Sequence, residues 1–244
     1  MSADTSAVRL SPLDSKRWKA LSARASDVTQ ETLPAVMAFC RQHGVAFLIA
    51  RCPATDLAAA QAMEREGFQL MDTLVYFSRD LERAAPQDPG QAAIRELRSG
   101  EDTAVRQVAS LSFSGYVGHY HADPRLDRRQ CDETYMDWAQ RSCLSREVAD
   151  AVLVGTIERR IVAFATLRRN SAEEGEGVLF GVAPEAQGRG IYRSLMIGAM
   201  LWFRTRGTAR MVVSTQVTNA AVQKVWTRLG FEPWKSNYTF HKWF

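Results

Sequence analysis

Hydrophobic and polar positions alternate along the chain in blocks that predict a mixed α/β fold. Residues 92–102 predict a strand and a capped turn that leads into the helix "TAVRQVASLSF". Two strands joined by the polar turn 158–160 predict a hairpin, and a further apolar strand spans 175–184. A loop with two glycines then leads into the amphipathic helix "IYRSLMIGAMLWFRTRG", and a strand, a helix and a strand complete the pattern.

A sequence of strand, polar turn, helix, Gly-Phe pair and strand occurs twice. Residues 45–81 align without a gap with residues 208–244, and the Gly67-Phe68 pair falls in register with Gly230-Phe231. The segment "RAAPQDPGQAA" (83–93) lies between the two copies and has the composition of a connection. We therefore predict two related lobes, residues 1–88 and 89–244. Convergence of two simple βαβ units on one pattern is the alternative explanation.

Composition narrows the classes of partner. Of the 244 residues, 46% are hydrophobic and 24% charged, as in ordinary globular proteins. The net charge of +4 favours small anionic partners, and no run of five Lys or Arg indicates nucleic-acid binding. Four cysteines form no metal-ligand pattern, and no apolar run is long enough for a signal peptide or a membrane span. We expect a cytoplasmic protein with no bound metal, no membrane partner and no nucleic-acid partner.

The loop in "GVAPEAQGRGIYRSLM" (181–196) has the features of a phosphate-binding turn. It ends where a helix begins, and the first N–H groups of a helix are free at the positive end of its dipole. Gly188 and Gly190 allow close approach of the main chain to a phosphate, and Arg189 adds positive charge. The third glycine of a dinucleotide-binding fingerprint is missing, so the loop predicts an anion site of another kind.

The pattern around this loop resembles the GNAT superfamily of N-acetyltransferases. The matching residues are Val182, Pro184, Gln187, Gly190, Asn219, Ala221 and the Gly230-Phe231 pair. The resemblance implies an α/β mixed sheet of the GNAT fold, with a degenerate GNAT-like N-terminal lobe and a complete C-terminal lobe. It also implies acetyl-CoA as the acyl donor. By position, the implied cofactor-binding residues are Phe180, Gly181, Val182, Gln187, Gly188, Arg189, Gly190, Ile191, Tyr192 and Asn219.

Within that superfamily the chain resembles the dTDP-fucosamine acetyltransferases, which acetylate a nucleotide-linked 4-amino-4,6-dideoxy sugar. The resemblance rests on "FSGYVGHYHADPRL" (113–126), "TYMDWAQ" (134–140) and "STQVTNAA" (214–221). It implies an acceptor pocket after the first helix of the second lobe. The rings there suit a base or a sugar, and the guanidinium suits a diphosphate. The implied substrate-binding residues are Tyr116, His119, Tyr120, His121 and Arg125. Packing of these aromatic side chains on the core is the alternative.

Acetyl transfer to an amine requires a group that removes a proton from the attacking ammonium. Glu176 opens the strand before the loop, where some members of the superfamily keep a general-base Glu. A solvated acidic turn at 173–176 is the alternative, and His119 and His121 are the other candidates for the base. Main-chain N–H groups around Gly181 and Val182 are expected to stabilise the negative charge that develops on the carbonyl oxygen.

The group that protonates the leaving thiolate is missing from its usual position. The superfamily commonly has a Tyr seven residues after the Asn, and this chain has Trp226, whose indole offers no transferable proton. Tyr238 on the last strand and Tyr192 at the loop exit are the hydroxyls that could replace it. A thiol pKa near 8.5 also lets the thiolate leave unassisted.

These observations predict an acetyl-CoA-dependent N-acetyltransferase in which the amine attacks the thioester directly. The expected acceptor is a small molecule, a nucleotide-linked amino sugar. Another small amine, such as an amino acid or an aminoglycoside, is the first alternative. An acyl-CoA-binding module with little turnover is the second. A homodimer is compatible with the sequence, which does not determine the assembly.

Overall fold

All ten strands belong to one sheet in the computed structural model, which describes residues 8–84, 86–88, 90 and 92–244. The strands are β1 (Val8–Leu10), β2 (Ser22–Ala25), β3 (Phe47–Pro53), β4 (Gln69–Asp80), β5 (Ala93–Glu96), β6 (Ala151–Ile157), β7 (Arg160–Arg169), β8 (Glu174–Val182), β9 (Arg210–Gln216) and β10 (Glu232–Trp243). Their order across the sheet is β1-β2-β3-β10-β4-β9-β8-β7-β6-β5.

Helices cover both faces of this sheet. They are α1 (Pro12–Trp18), α2 (Leu33–His43), α3 (Leu57–Arg65), α4 (Asp102–Ser112), α5 (His119–Ala122), α6 (Arg128–Leu144), α7 (Ile191–Arg204) and α8 (Ala220–Arg228). On one face, α2 and α3 bury the first-lobe core, and α7 and α8 bury the second-lobe core. Helices α1, α4, α5 and α6 cover the other face, which we call the acceptor face.

The two lobes exchange their last strands. Strand β10, from the end of the chain, lies between β3 and β4 of the first lobe and is antiparallel to both. Strand β4 in turn forms a ladder with β9 of the second lobe, from Leu74 opposite Gln216 to Asp80 opposite Arg210. Each lobe's penultimate strand therefore pairs with the other lobe's last strand, and β4 pairs with β10 at the junction. The exchange joins both lobes into one sheet.

The two copies of the sequence repeat have the same helix caps at equivalent positions. Asp56 caps α3 by accepting a hydrogen bond from the N–H of Ala59, and Asn219, at the equivalent position, caps α8. Both helices are followed by a glycine in the left-handed region, Gly67 at φ 79° and Gly230 at φ 78°. These positions explain why the two copies keep the same residue types with little other identity.

The predicted mixed α/β fold is confirmed, with two GNAT-type lobes in tandem. The apolar strand predicted at 175–184 is β8, two residues shorter at its end, and the predicted helix after the loop is α7. Ala85, Pro89 and Gln91 of the predicted connection lie outside the described residues, so the boundary at 88/89 stays a prediction. Across the described ranges, no helix has both the length and the apolar character that a membrane crossing needs.

Phe240 offers a test of the strand exchange. Its side chain belongs to β10 but is 1% exposed within the first-lobe core, beside Phe68. We expect Phe240→Ala to lower the free energy of unfolding by about 3–5 kcal/mol. Because β10 completes the first lobe, unfolding should stay a single transition in urea, followed by both far-UV circular dichroism and tryptophan fluorescence.

Phe244→Ala is the matched control, since the Phe244 side chain is 49% exposed and its removal should change stability little. Two separate transitions in Phe240→Ala, with second-lobe tryptophans reporting later than the backbone signal, would contradict the coupling of the lobes through β10.

Candidate functional site

Strands β8 and β9 separate part-way along their length. They pair in parallel from Glu174 opposite Arg210 to Gly177 opposite Val213, and the pairing stops there. Beyond that point β8 stays paired with β7 as far as Val182, while β9 stays paired with β4 as far as Gln216. The gap between residues 178–182 of β8 and residues 214–216 of β9 is here called the donor wedge.

Alternation along β8 determines which main-chain groups face the donor wedge. The N–H of Ala183 donates to the Val162 carbonyl of β7, so the groups of Gly181 also point towards β7. Phe180 and Val182 consequently direct their N–H and C=O groups into the wedge. The expectation of an N–H from Gly181 there is wrong, and Gly181 serves close packing, since an added Cβ would lie 2.5 Å from the Phe164 ring.

The loop after β8 presents a free helix N-terminus. A single 3₁₀ turn (Pro184–Ala186) leads to Gln187, whose side-chain amide donates to the Val182 carbonyl at 3.1 Å. Gly188 and Gly190 have φ values of 73° and 75°, and no side chain caps α7. An added Cβ at Gly188 would meet nothing within 4 Å. The exposed loop with Arg189 therefore has both the donors and the room for an oxyanion.

Tyr192 contacts the residue that replaces the usual acid. Its hydroxyl oxygen accepts a hydrogen bond from the indole N–H of Trp226 at 2.9 Å, and its ring lies beside Phe180 of the donor wedge. Trp226 is 2% exposed, so its N–H needs a partner inside the protein. Burial raises the pKa of the Tyr192 hydroxyl, which keeps its proton. The two departures from the family pattern thus form one pair.

Two other predicted site residues have structural partners. Asn219 accepts from the N–H of Val222 as the cap of α8 and donates to Thr215 Oγ1 at 3.0 Å. Tyr238 lies on the face of the sheet opposite Glu176 and packs at the edge of the first-lobe core, against Phe240. That position does not support the predicted acid role for Tyr238.

Glu176 is partly buried on the acceptor face rather than solvated in a turn. One of its carboxylate oxygens accepts from the Asn170 amide at 3.3 Å. Burial raises the pKa of the Glu176 carboxyl, with a further contribution from the charge of Glu174. Glu176 also raises the pKa of Tyr76, which places the two side chains in one electrostatic neighbourhood. A carboxyl with a raised pKa beside the donor wedge is suited to accept a proton near neutral pH.

The predicted acceptor residues are divided between the two lobes. His119 and Tyr120 of α5 are buried against the first lobe, where the Tyr120 hydroxyl accepts from Arg24 at 2.6 Å. His121 accepts from the N–H of Gly118 and contacts Asp132 at 3.0 Å. Arg125 is exposed over the Trp243 ring. These contacts fit the alternative in which the segment packs on the core, and substrate roles for the residues stay predictions.

Tyr116 is the member of this group that Asp72 of β4 influences. Burial and the charge of Asp72 together raise the pKa of the Tyr116 hydroxyl to about 12. Its ring meets the ring of Tyr135 edge-on at 5.0 Å. Tyr116 therefore stands over the strands of the lobe junction.

A buried chain of hydrogen bonds connects α5 to the last strand. Nδ1 of His119 lies 2.9 Å from Nε2 of His241, and Nδ1 of His241 lies 2.8 Å from the Asp123 carboxylate. Trp243 donates to the same carboxylate oxygen at 2.9 Å. Burial and the neighbouring His241 hold the pKa of His119 well below its usual range. This network fixes α5 on β10, and the lowered pKa keeps the His119 imidazole neutral.

A row of polar residues crosses the acceptor face and is not predicted by the sequence analysis. Thr239 of β10 lies opposite Arg51 of β3 and Asp72 of β4. The sequence carries a weak signal, since Arg51 interrupts the apolar strand β3 and Asp72 follows the apolar pair Leu70-Met71 in β4. Their meeting depends on the exchange of β10 into the first lobe, which no local pattern indicates.

Residues 8–84, the described part of the first lobe up to the connection, contain no counterpart of the donor wedge. At the equivalent position the N–H of Val28 donates to the Arg51 carbonyl at 2.9 Å, so the gap beside β3 is bridged. The segment before α2, residues 26–32 (SDVTQET), contains no glycine and two carboxylates. It would repel a phosphate rather than bind it. Among the described residues, the open strand pair and the glycine loop therefore occur together in the second lobe alone.

Comparison with known proteins agrees with this division. Residues 116–231 match the model of the acetyltransferase (GNAT) family. A mycothiol acetyltransferase from Saccharopolyspora erythraea is 28% identical over 165 residues, which are 66% of this chain and 50% of that protein. The spore coat polysaccharide biosynthesis protein SpsD from Bacillus subtilis is 22% identical over 205 residues, 81% of this chain and 66% of that protein.

Among solved structures, the tandem GNAT protein from the clavulanic acid biosynthesis pathway superposes with a TM-score of 0.63. The match is 15% identical and covers 91% of this chain and 75% of the other. At this identity the likeness concerns the fold, which is two GNAT lobes in tandem. The chain spans about half the length of the mycothiol acetyltransferase that it matches.

The Tyr192–Trp226 pair can be tested by a double-mutant cycle. Tyr192→Phe should lower the free energy of unfolding by about 1–3 kcal/mol, because the buried indole N–H loses its acceptor. In a Trp226→Phe background the same change should cost about 1 kcal/mol less. Urea unfolding of the four variants measures the coupling.

Tyr238→Phe is the control, since the hydroxyl of Tyr238 has no such partner among the described residues. Equal costs of Tyr192→Phe in both backgrounds would contradict a stabilising hydrogen bond.

Proposed function

We propose that this chain is an acetyltransferase of the GNAT family and that it transfers the acetyl group of acetyl-CoA to the amino group of a nucleotide-linked amino sugar. The donor wedge carries the proposal. A parallel strand pair that opens in front of an uncapped helix N-terminus provides a slot for an extended arm and an anion site at its end.

The residues of the loop before α7 and of β8 have groups that suit acetyl-CoA as the acyl donor. Arg189 and the N–H groups of the first turn of α7 would hold the pyrophosphate, with the main chain of Gly188 free to approach it. The main-chain groups of Val182 would bond the pantetheine arm as a neighbouring strand would. Acetyl-CoA would supply a thioester activated for attack by an amine.

Glu176 is the group we assign to proton removal. A nucleophilic amine must lose a proton, and a partly buried carboxyl with a raised pKa accepts one near neutral pH. The carboxylate lies on the acceptor face, and the donor wedge opens from the residue after Gly177. The amine would therefore approach from the acceptor face. The N–H of Phe180, the wedge-facing group nearer to Glu176, would stabilise the oxyanion, which leaves the main-chain groups of Val182 to the pantetheine arm.

Tyr192 takes the place of the missing acid in this proposal. Its hydroxyl keeps its proton because burial raises its pKa, and it lies beside Phe180 at the donor wedge. By donating to the Tyr192 oxygen, the Trp226 indole leaves the hydroxyl proton free to point elsewhere. The pair could thus support departure of the thiolate, which leaves readily in any case with a thiol pKa near 8.5.

The acceptor class is supported by two observations. The middle of the acceptor face is polar and combines Arg, Asp, Thr and Tyr side chains that suit hydroxyl and phosphate groups. A relative aligned over 81% of this chain bears a name that refers to polysaccharide biosynthesis. A small amine such as an amino acid or an aminoglycoside is the second candidate, supported by the acetyltransferase relatives in general.

A panel of amines tests the proposal through release of the free thiol of CoA. We expect dTDP- or UDP-linked 4-amino-4,6-dideoxyhexoses to be acetylated with kcat/KM about 100-fold above that of free amino acids or aminoglycosides, since they offer charged groups to the acceptor face. Equal rates would remove the sugar assignment. Acetyl-CoA binding with no CoA release for any amine would leave an acyl-CoA-binding module instead.

Glu176→Gln tests the base. We expect kcat to fall about 10²–10⁴-fold. Because the base acts as the carboxylate and burial raises its pKa, the wild-type rate should decline as the pH falls through that raised pKa, above the value near 4.3 of a free Glu. The variant should lose this acidic limb of the pH–rate profile.

Glu173→Gln, an exposed change in the same acidic turn, is the control and should keep both rate and profile. An acidic limb that persists in Glu176→Gln would assign the proton transfer to another group, such as His119.

A further inference from the structure

Three polar atoms on the acceptor face are buried without a hydrogen-bond partner. They are Nε of Arg51, Oδ1 of Asp72 and Oγ1 of Thr239. Thr239 lies directly opposite both other residues, so the three form one row across β3, β10 and β4. A lone buried polar atom is costly, and three in one row mark a place where a ligand or water completes the hydrogen bonds.

The Arg51 guanidinium in this row has no ion-pair partner. Among the described residues no carboxylate lies within salt-bridge distance of it, although Asp72 stands two strands away. The other oxygen of Asp72 accepts from the Gln216 amide at 3.3 Å. Arg51 influences its surroundings, since its charge helps to lower the pKa of His119. A partly buried, unpaired guanidinium is suited to bind an oxyanion through two parallel hydrogen bonds.

The proposed reaction takes place at the other end of the same face. Tyr76 of β4 lies opposite Ser214 at the mouth of the donor wedge, and it shares an electrostatic neighbourhood with Glu176. Tyr76 is four residues from Asp72 along β4, which is about 13 Å. Asn237, 5% exposed, lies between the two ends on β10. The polar row therefore lies about four residues along the strand from Tyr76, and the charge of Arg51 still reaches Glu176, whose pKa it lowers against the larger effect of burial.

This separation selects between acceptors. In a free amino acid the amine and the carboxylate are attached to one carbon, too close together to reach both ends. In a nucleotide-linked amino sugar the hexose ring lies between the amine and the diphosphate. The spacing and the polar row match the second arrangement, with Asp72 available to a sugar hydroxyl.

We infer that Arg51, a residue of the first lobe, binds the diphosphate of the acceptor together with the Thr239 hydroxyl, and that Asp72 accepts from a hydroxyl of the adjoining sugar. The inference rests on the proposed function for the amine end of the site. It assigns a role in acceptor binding to the first lobe, whose described residues form no donor wedge. The strand exchange brings β3 and its Arg51 into the same face as Glu176, so both lobes build one acceptor site.

Calorimetric titration of the whole protein with dTDP and with UDP tests the inference without depending on catalysis. Saturating CoA is present throughout, so that the diphosphates do not occupy the loop before α7. We expect Arg51→Met to weaken nucleoside diphosphate binding about tenfold or more, because a charge-assisted contact is lost. Arg65→Met removes the same charge from an exposed position on α3, on the opposite face, and should bind as the wild type does.

Thr239→Val keeps the test decisive if Arg51→Met folds poorly. The change removes a buried hydroxyl that has no partner, so the thermal midpoint should not fall, while diphosphate binding should weaken about two- to tenfold. Wild-type affinity in both variants would overturn the inference, as would a CoA-saturated wild type that binds neither diphosphate. The CoA-release assay tests the proposed function separately, because an enzyme without that function would release no CoA with any amine.

Discussion

The pairing of β4 with β10 at the lobe junction is the contact on which the rest of the molecule depends. Each of these strands comes from one lobe and completes the sheet of the other. Without β10 the edges of β3 and β4 would be open, and without β4 the edge of β9 would be open. Backbone hydrogen bonds of a long antiparallel ladder, together with buried rings such as Phe240, therefore hold together what the sequence presents as two units.

The donor wedge follows from the same arrangement. Strand β9 is held on one side by β4 over its whole length, and β8 is held by β7. The two pairs diverge after Gly177, so main-chain groups stay unpaired without loss of order in either strand. The first lobe has the same succession of elements, but Val28 bridges the gap and no glycine loop follows. One fold thus yields an open strand pair in the second lobe and a bridged one in the first.

Local features of the site could be predicted from the sequence, and non-local ones could not. Glycine with positive φ, a helix cap and a strand before a loop are determined by a few neighbouring residues, so the loop 187–192 and the repeat were found. The row Arg51–Thr239–Asp72 and the His119–His241–Asp123 chain join residues more than a hundred positions apart. Hydrophobic periodicity does not report which strands become neighbours, so the sequence could not show that Tyr238 packs against the first-lobe core. The ring of Tyr192 was unexplained for the same reason, because its partner Trp226 is on another helix.

Strand order also affects how the chain is made. Because β10 is the last described element and lies between β3 and β4, the first lobe cannot close its sheet while the ribosome is still adding β5 to α8. The first lobe therefore cannot follow the usual order, in which an N-terminal unit folds before the next unit is synthesised. The edges of β3 and β4 stay exposed to other nascent chains during that time. Chaperone dependence and sensitivity of yield to translation speed should therefore be greater than for two lobes that fold one after the other.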